Sequence, residues 1–410
     1  MTMEKRTFLH KLKAMGPAAI ITSAFIGPGT ITSSTQSGAQ FQYALLWTVV
    51  FSGIALIILM DMASRLAAIG HKSVIEATIE LRPESRGWRN FVTWFIFLSI
   101  LFTGLGFEAG NEIGASAGLA DIFGLPVWLS ALLVGGISLM TVLYSTPKAL
   151  ELIAQGFVVA MGVIFFITMI AVKPAVGEVM GGLAPRVPEG GLMNAMALIG
   201  TTLIGLNLVF HSLACQEKYT TEEDLPDSRF DTRFNVIMGV AMTLAIIITS
   251  AKVLYSTGIV ITSPILFSKT LEPVLGSWAR IVGDLGLFLA GLSSTIAVPY
   301  ITGVIFTRLF HWEQTPWKRK AVGTAILIFG TVLAMLNRSP TEIIIFTQAL
   351  SGFFLPFLAV IFVITGNNRK LLGKYANTPV QNVLGALSVL VTLGLGLWTI
   401  YSKVILALLA

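Results

Sequence analysis

The fold is decided by a four-residue stretch, Gly27-Pro28-Gly29-Thr30, which interrupts an apolar segment at residues 17–36. The proline removes a backbone donor and blocks a regular helix, and the flanking glycines permit backbone shapes that other residues avoid. A second interruption, Thr201-Thr202-Leu203-Ile204-Gly205-Leu206-Asn207, lies in a later apolar segment at residues 193–216. A single break is often only a kink, so the prediction depends on the pair.

The chain around these breaks is strongly apolar. Hydrophobic residues make up 55% of its 410 residues and charged residues 12%, and the mean hydropathy is +0.82. A soluble domain carries about 25% charged residues, so most of this surface is predicted to face lipid. Because a span needs about 20 apolar residues, the sequence predicts eleven transmembrane helices, near 17–36, 43–63, 91–118, 127–145, 152–172, 193–216, 234–257, 280–307, 321–337, 341–365 and 380–402.

The positions of the two breaks predict the architecture. They fall in the first and sixth spans, which are equivalent positions of two five-helix halves. Transporters built from inverted repeats have such broken helices, and their substrates bind near the bilayer midplane where the helices unwind. We therefore expect an all-α integral membrane protein that works by alternating access. Its single domain would contain a first inverted repeat at about 14–175, a second at about 190–366 and an extra helix at about 380–402.

The basic residues predict the orientation. With a cytoplasmic N-terminus, 20 of the 27 Lys and Arg residues fall in cytoplasmic segments and six in outer ones, while Lys252 lies within a span. This is the positive-inside pattern. We expect a multi-pass protein of the cell inner (cytoplasmic) membrane, in contact with the lipid bilayer and not with nucleic acid. The single cysteine excludes an intramolecular disulfide, and no cofactor is expected.

Several motifs make the chain resemble the Nramp divalent-metal transporters. They are Gly16-Pro17-Ala18-Ala19 through Thr30, Gln36 through Trp47, Leu198 through Ser212, Gly291-Leu292-Ser293-Ser294, and Gln348 with Leu355-Pro356-Phe357. The resemblance runs from about residue 14 to 395. It implies a LeuT-like fold with an inverted 5+5 helix repeat plus one extra helix, and proton-linked uptake of manganese, iron or related ions. It also implies a substrate site lined by Ala24, Gly27, Pro28, Gly29, Thr30, Thr201, Ile204, Gly205, Asn207 and Gln348.

The departures from the family fall on its metal ligands. Where the family has Asp-Pro-Gly-Asn, this chain has Gly27-Pro28-Gly29-Thr30, and where the family has Met-Pro-His it has Ile204-Gly205-Leu206. A magnesium-transporting branch of the family also alters these positions but retains the aspartate. A dehydrated divalent ion prefers anionic or strongly dipolar ligands, so no residue is assigned as a metal ligand. The carbonyls of Ala24 and Thr201 remain available, and a hydrated magnesium ion is easier to accommodate than a transition metal.

The same replacements favour a second kind of substrate. Half-helices that begin near the two breaks would direct backbone N–H groups into the site. The surrounding hydroxyl and amide groups are those of Thr30, Thr32, Ser33, Ser34, Thr35, Thr201, Thr202 and Asn207. Such donors bind small anions or polar neutral solutes, as in other broken-helix transporters. Ser and Thr also satisfy carbonyls freed in an interrupted helix, so both interpretations stay open.

Polar residues inside the spans predict a proton or polar pathway. Glu108, Asn111 and Glu112 are spaced i, i+3 and i+4, which places them on one helix face that should point into the bundle. The resemblance places Glu112 and His211 on the proton route of the family, and a buried acid and a histidine suit proton relay. The alternative is a structural cluster that joins the third and sixth helices.

Three further charged residues have both a functional and a structural interpretation. Lys252 either faces the cavity as a cation or extends to the outer surface. Asp61 and Arg65, spaced i, i+4 near the inner end of the second span, are predicted to form a structural ion pair rather than a gate.

The leading functional prediction is a secondary transporter of a small ion, with protons as the coupling ion that the resemblance implies. A transporter of a small anion or polar neutral solute at the same site is the first alternative. A non-transporting membrane sensor is the second, although such proteins usually add a soluble signalling domain, which is not expected here. An enzyme is not expected, because the four histidines form no catalytic or metal-ligand pattern with acids or nucleophiles.

Overall fold

Helices lie at all eleven predicted positions. The computed structural model describes residues 18, 21, 22, 24, 26–144, 156, 159, 162–259, 261, 263–336 and 340–401, except the side chains at 340–342, 345–353, 395–396 and 398–400. The long helices are α1 (Pro28–Phe41), α2 (Leu46–Ala68), α3 (Arg86–Phe123), α4 (Val127–Tyr144), α5 (Gly162–Ala171), α6a (Leu192–Thr202), α6b (Gly205–Lys218), α7 (Leu225–Leu254), α8 (Ala279–Leu309), α9 (Pro316–Leu336), α10 (Pro340–Gly366) and α11 (Pro379–Ile400). The first and fifth helices are described only in part.

Some helices extend well beyond their predicted bounds. α3 has 38 residues because the Ser85 hydroxyl accepts from the Trp88 N–H at its start, and Gly124 ends it in the left-handed conformation with φ 64°. α7 begins at Leu225, not near 234, with Pro226 in its first turn. The N-terminal extensions, residues 86–90 of α3 and 225–233 of α7, are polar, so a prediction based on hydropathy does not include them.

The apolar character of the helices fits a membrane protein. By length and hydropathy, seven helical segments of the described residues can cross a membrane, or up to eight if the bent pair Phe354–Gly366 and Arg369–Tyr375 forms one span. α6a and α6b count together as one of the seven. The chain therefore has the all-α, membrane-spanning architecture that the sequence predicts.

The helices pack in two groups, and each group combines helices from both predicted repeats. In one group α1 packs on α7, and the corresponding helices α6b and α2 pack on each other. In the other group α3, α4, α8 and α9 pack together, while α10 connects the groups and α11 packs on α10. Glycine permits the closest approaches, since a Cβ at Gly38 of α1 would lie 2.5 Å from the carbonyl oxygen of Ile247 in α7.

One end of the first group is joined by a network of charged and polar side chains. Asp61 accepts hydrogen bonds from Nε of Arg65 at 2.9 Å, Nε of Arg229 at 2.6 Å and Nε2 of Gln381 at 3.2 Å. Arg65, whose side chain is 2% exposed, also donates to Oδ1 of Asn377 at 2.8 Å. The predicted ion pair thus exists and belongs to a larger network that joins α2, α7 and the α10–α11 region.

Candidate functional site

The first break lies immediately before α1. Gly27 has an extended backbone (φ −101°, ψ −176°), and Pro28 opens the helix at a position where a missing N–H costs nothing. The N–H of Ile26 bonds the carbonyl of Thr22, and that of Ile31 bonds the carbonyl of Gly27, so the helical pattern stops on one side of the break and restarts on the other. Ala24, Gly27, Pro28, Gly29 and Thr30 are all buried.

The second break separates α6a from α6b. Leu203 (φ −87°, ψ 75°) and Ile204 (φ −95°, ψ 120°) leave the helical conformation. Asn207, in the first turn of α6b, is 1% exposed, and neither atom of its amide has a hydrogen-bond partner in the described part of the chain. Both breaks therefore occur where the sequence predicts them, each with a half-helix beginning at the unwound backbone.

Two predicted site residues beside the second break have other contacts. The hydroxyl of Thr201 donates to the carbonyl of Leu198 in its own helix at 3.2 Å, so this hydroxyl is not directed at the break. Gly205 lies against α10, where an added Cβ would be 2.4 Å from Cδ1 of Leu358. Thr201 can still contribute its backbone carbonyl, and Gly205 allows α10 to approach the start of α6b.

The first break is held against α3. A Cβ at Gly114 of α3 would lie 2.1 Å from Cβ of Pro28, so the proline ring fits only because that position is a glycine. One turn earlier on the same face, Asn111 approaches Gly27: a Cβ on Gly27 would lie 2.7 Å from Oδ1 of Asn111 and 2.9 Å from Oγ of Ser294 in α8. Neutral polar groups from α3 and α8 therefore converge on the break.

The three polar residues of α3 are all buried in the bundle, as predicted, but they contact different neighbours, so the prediction that they point together is wrong. Asn111 faces Gly27, whereas Glu108 and Glu112 face α9. Cγ of Glu108 would be 2.7 Å from a Cβ at Gly330, and Oε1 of Glu112 accepts from the Thr331 hydroxyl at 3.2 Å. Consecutive helical residues are 100° apart, which is enough to direct Asn111 and Glu112 to different neighbours.

His211 lies in a buried polar cluster of α2, α6b and α7. Its Nε2 is 3.2 Å from Oγ of Ser64, 3.4 Å from Sγ of Cys215 and 3.3 Å from Oγ1 of Thr232. The sequence singled out His211 but not its neighbours. The i, i+4 spacing of His211 and Cys215 is a signal that could have predicted their contact, whereas Ser64 and Thr232 come from other helices and gave none.

The N-terminal side of the first break is fixed to α7. The backbone N–H of Ala18 donates to Oδ2 of Asp231 at 3.3 Å, and the Tyr219 hydroxyl donates to the same oxygen at 3.2 Å. Burial, and then the charge of Asp231, raises the pKa of the Tyr219 phenol well above its usual range. Tyr219 therefore remains a hydrogen-bond donor at physiological pH.

Two other predicted residues lie away from the breaks or outside the described set. Lys252 is in the last turn of α7 and its side chain is exposed, so it does not line the buried breaks, and its position fits the peripheral interpretation. Gln348 belongs to α10, but its side chain lies outside the described residues. Among the residues that the structure describes, no group of three or more His, Cys, Asp or Glu could hold a metal ion.

Comparison with known proteins identifies relatives of the whole chain. Residues 18–402 match the Nramp family model, described as natural resistance-associated macrophage protein-like. The chain is 27% identical to a divalent metal cation transporter MntH of Yersinia pestis (strain Pestoides F), over 96% of this chain and 95% of the relative. It is 25% identical to the protein of that name from Klebsiella pneumoniae (strain 342), with the same coverage of 96% and 95%.

Solved structures share the fold. The chain is similar to a manganese transporter of Eremococcus coleocola, with a TM-score of 0.81, 19% identity and coverage of 98% of this chain and 89% of the other. It is also similar to MhsT in complex with L-phenylalanine (TM-score 0.64, 14% identity, 93% and 98% covered). A third similar structure is Mhp1, a nucleobase-cation-symport-1 family transporter (TM-score 0.58, 17% identity, 95% and 93% covered). These similarities confirm the LeuT-like fold with its inverted repeat.

Proposed function

The chain belongs to the Nramp family, and on that premise we propose that it is a secondary transporter of a divalent metal cation in the cytoplasmic membrane. The two broken helices support transport by alternating access, because unwound backbone at equivalent positions of an inverted repeat is where such proteins bind substrate. The relatives named MntH are called divalent metal cation transporters, which supports this class of substrate.

The chemistry of the site favours a cation that keeps its water. The atoms nearest to the position of a Cβ on Gly27 are the carboxamide oxygen of Asn111 and the hydroxyl oxygen of Ser294, and both groups are neutral. Mg²⁺ dehydrates reluctantly and usually keeps several waters when it binds. Neutral oxygens can accept hydrogen bonds from those waters without replacing them. This one observation, a neutral polar lining at the first break, leads us to propose hydrated Mg²⁺ rather than dehydrated Mn²⁺ or Fe²⁺.

A second candidate substrate, a small anion or polar neutral solute, is supported by a different observation. Nδ2 of Asn111 and Nδ2 of Asn207 are buried donors that bond no acceptor within the described residues. Helix starts at Pro28 and Gly205 add the positive ends of two helix dipoles. Donors without a formal negative charge nearby are suited to an anion, so the test of the substrate must include one.

We further propose that protons move between α3 and α9. Both carboxylate oxygens of Glu108, and Oε2 of Glu112, are buried with no hydrogen-bond partner in the described set. A carboxyl group can both take up and release a proton, and these oxygens are not engaged by other described groups, which suits them to proton exchange. His211, in its polar cluster between α2 and α7, is the candidate for the inner part of the route.

Uptake into proteoliposomes tests these proposals. We expect saturable Mg²⁺ uptake, weaker Mn²⁺ uptake and no chloride uptake, with stimulation by an inward proton gradient. Saturable chloride uptake without any metal uptake would refute the cation proposal. Glu112→Gln is expected to reduce the stimulation by the gradient while uptake at equal pH persists. The matched control is Glu178→Gln, in the short outer helix Val176–Gly181, where we expect no change.

A further inference from the structure

We propose that Asn111 of α3 and Ser294 of α8 bind the substrate in the place of the side chain that Gly27 lacks. This inference rests on the proposed function, since it names ligands for that same site. It moves Asn111 from the polar pathway predicted by the sequence to the substrate site. It also adds Ser294, to which the sequence assigned no role.

The first step is steric. Oδ1 of Asn111 and Oγ of Ser294 lie 2.7 and 2.9 Å from the point where a Cβ on Gly27 would be. Both distances are shorter than Cβ atoms make with oxygen in proteins, so a side chain at 27 and the present positions of these two groups exclude one another. The space into which a side chain of the first helix would project is therefore occupied from α3 and α8.

The second step is the packing that fixes the two groups. Gly114, one turn from Asn111, receives the ring of Pro28 and sets the depth of the break against α3. Gly291, one turn before Ser294, lies against α3, where an added Cβ would be 2.5 Å from Cβ of Ala115. Close contacts on both sides thus hold the carboxamide and the hydroxyl at the break.

The third step is chemical. The side chain of Asn111 is buried at the break, with 3% of the residue exposed. Its Nδ2 bonds no acceptor in the part of the chain that is described. Burial of this unbonded donor costs free energy, and the oxygen of a water outside the first shell of a bound cation would accept from it. A hydrated divalent cation presents water hydrogens outward, and Oδ1 of Asn111 and Oγ of Ser294 are acceptors for them. The substrate class is therefore a cation bound through its first water shell.

The direct test is the concentration dependence of Mg²⁺ uptake. We expect Asn111→Ala and Ser294→Ala each to raise the KM for Mg²⁺ by about tenfold, the loss of one hydrogen bond to a charged ligand. Ser293→Ala is the matched control, because the neighbouring hydroxyl donates to the carbonyl of Ala290 in its own helix at 2.9 Å. If the wild-type chain transports Mg²⁺ and neither alanine variant changes the KM, the assignment is overturned.

A second measurement tests the geometry without transport. Thermal unfolding of Gly27→Ala, Asn111→Ala and the double variant forms a double-mutant cycle. We expect Gly27→Ala to lower the unfolding midpoint in the wild-type background and to lower it much less when Asn111 has been shortened. Additive shifts would overturn the steric step. If the shifts are non-additive but the wild-type chain takes up no cation, the proposed function fails while the geometry stands.

A third experiment introduces a carboxylate at position 27. We expect Gly27→Asp alone to yield destabilised protein without a new metal site, and Gly27→Asp combined with Asn111→Ala to bind Mn²⁺ directly, measured by the Mn²⁺ electron paramagnetic resonance signal. Direct Mn²⁺ binding by Gly27→Asp with Asn111 intact would contradict the mutual exclusion of the two side chains.

Discussion

Asp61→Asn removes the one carboxylate of the network that joins α2, α7 and the α10–α11 region, and it leaves the two arginines of that network in place. The carboxylate accepts from Arg65 and Arg229 at 2.9 and 2.6 Å, and the Arg65 side chain is only 2% exposed. Removing one partner of a buried ion pair costs about 3–5 kcal/mol, because the other charge stays buried without compensation. Arg65 keeps its hydrogen bond to Asn377 at 2.8 Å, and the new carboxamide still accepts one bond. We therefore expect a loss of about 3 kcal/mol, the lower end of that range.

The assay is the midpoint of thermal unfolding in detergent, followed by tryptophan fluorescence. One kcal/mol moves the midpoint of a 150–250-residue domain by about 2–4 °C and a longer chain by less, so we expect a decrease of roughly 3–6 °C. Asp121→Asn is the matched control. Its carboxylate pairs with Arg280 at 2.6 Å, but the two side chains are 30% and 65% exposed, and an exposed pair contributes at most about 1 kcal/mol.

The comparison of the two variants decides the outcome. If the buried network stabilises this end of the bundle, Asp61→Asn must lower the midpoint clearly more than Asp121→Asn does. Equal shifts would show that water screens the network as it screens a surface pair. In that case the contacts that the network makes between α2 and α7 would not contribute measurably to the free energy of unfolding.

Two more substitutions follow from the packing and the hydrogen bonds. Gly114→Ala should destabilise the chain by about 1–3 kcal/mol through overpacking against the proline of the first break. Its control is Gly136→Ala, because no atom lies within 4 Å of the added Cβ. This control should leave the unfolding midpoint unchanged or raise it. Tyr219→Phe removes a donor to the buried carboxylate of Asp231 and should cost about 1–3 kcal/mol, while Tyr144→Phe at a side chain 75% exposed should cost nothing measurable. Thermal unfolding measures all four, and equal effects within either pair would contradict the contacts that distinguish them.

Local chemistry made the breaks and the helix count predictable. A proline between glycines cannot continue a helix, and an apolar run long enough to span a bilayer has few other structures available. The polar ends of α3 and α7 were missed for the same reason, since hydropathy detects only the part of a helix that lies in lipid. Capping at Ser85 and the proline at 226 were the local signals for those ends.

The composition of the site was less predictable, because it depends on contacts between distant segments. Spacing places Asn111 near Glu108 and Glu112 on α3, but only the neighbours of α3 determine that the amide meets Gly27 and the acids meet α9. The absence of a carboxylate at 27 was visible in the sequence. What occupies its space was not, since Asn111 and Ser294 are 84 and 267 residues away along the chain.

The polar cluster around His211 has a practical consequence. Cys215 is the only cysteine of the chain, and it is fully buried between Ser64 of α2 and Ser228 of α7. A thiol-reactive maleimide reaches it only when the contacts among α2, α6b and α7 separate. The rate of alkylation by a reagent supplied in excess therefore measures how often these three helices separate, and the measurement needs no introduced cysteine.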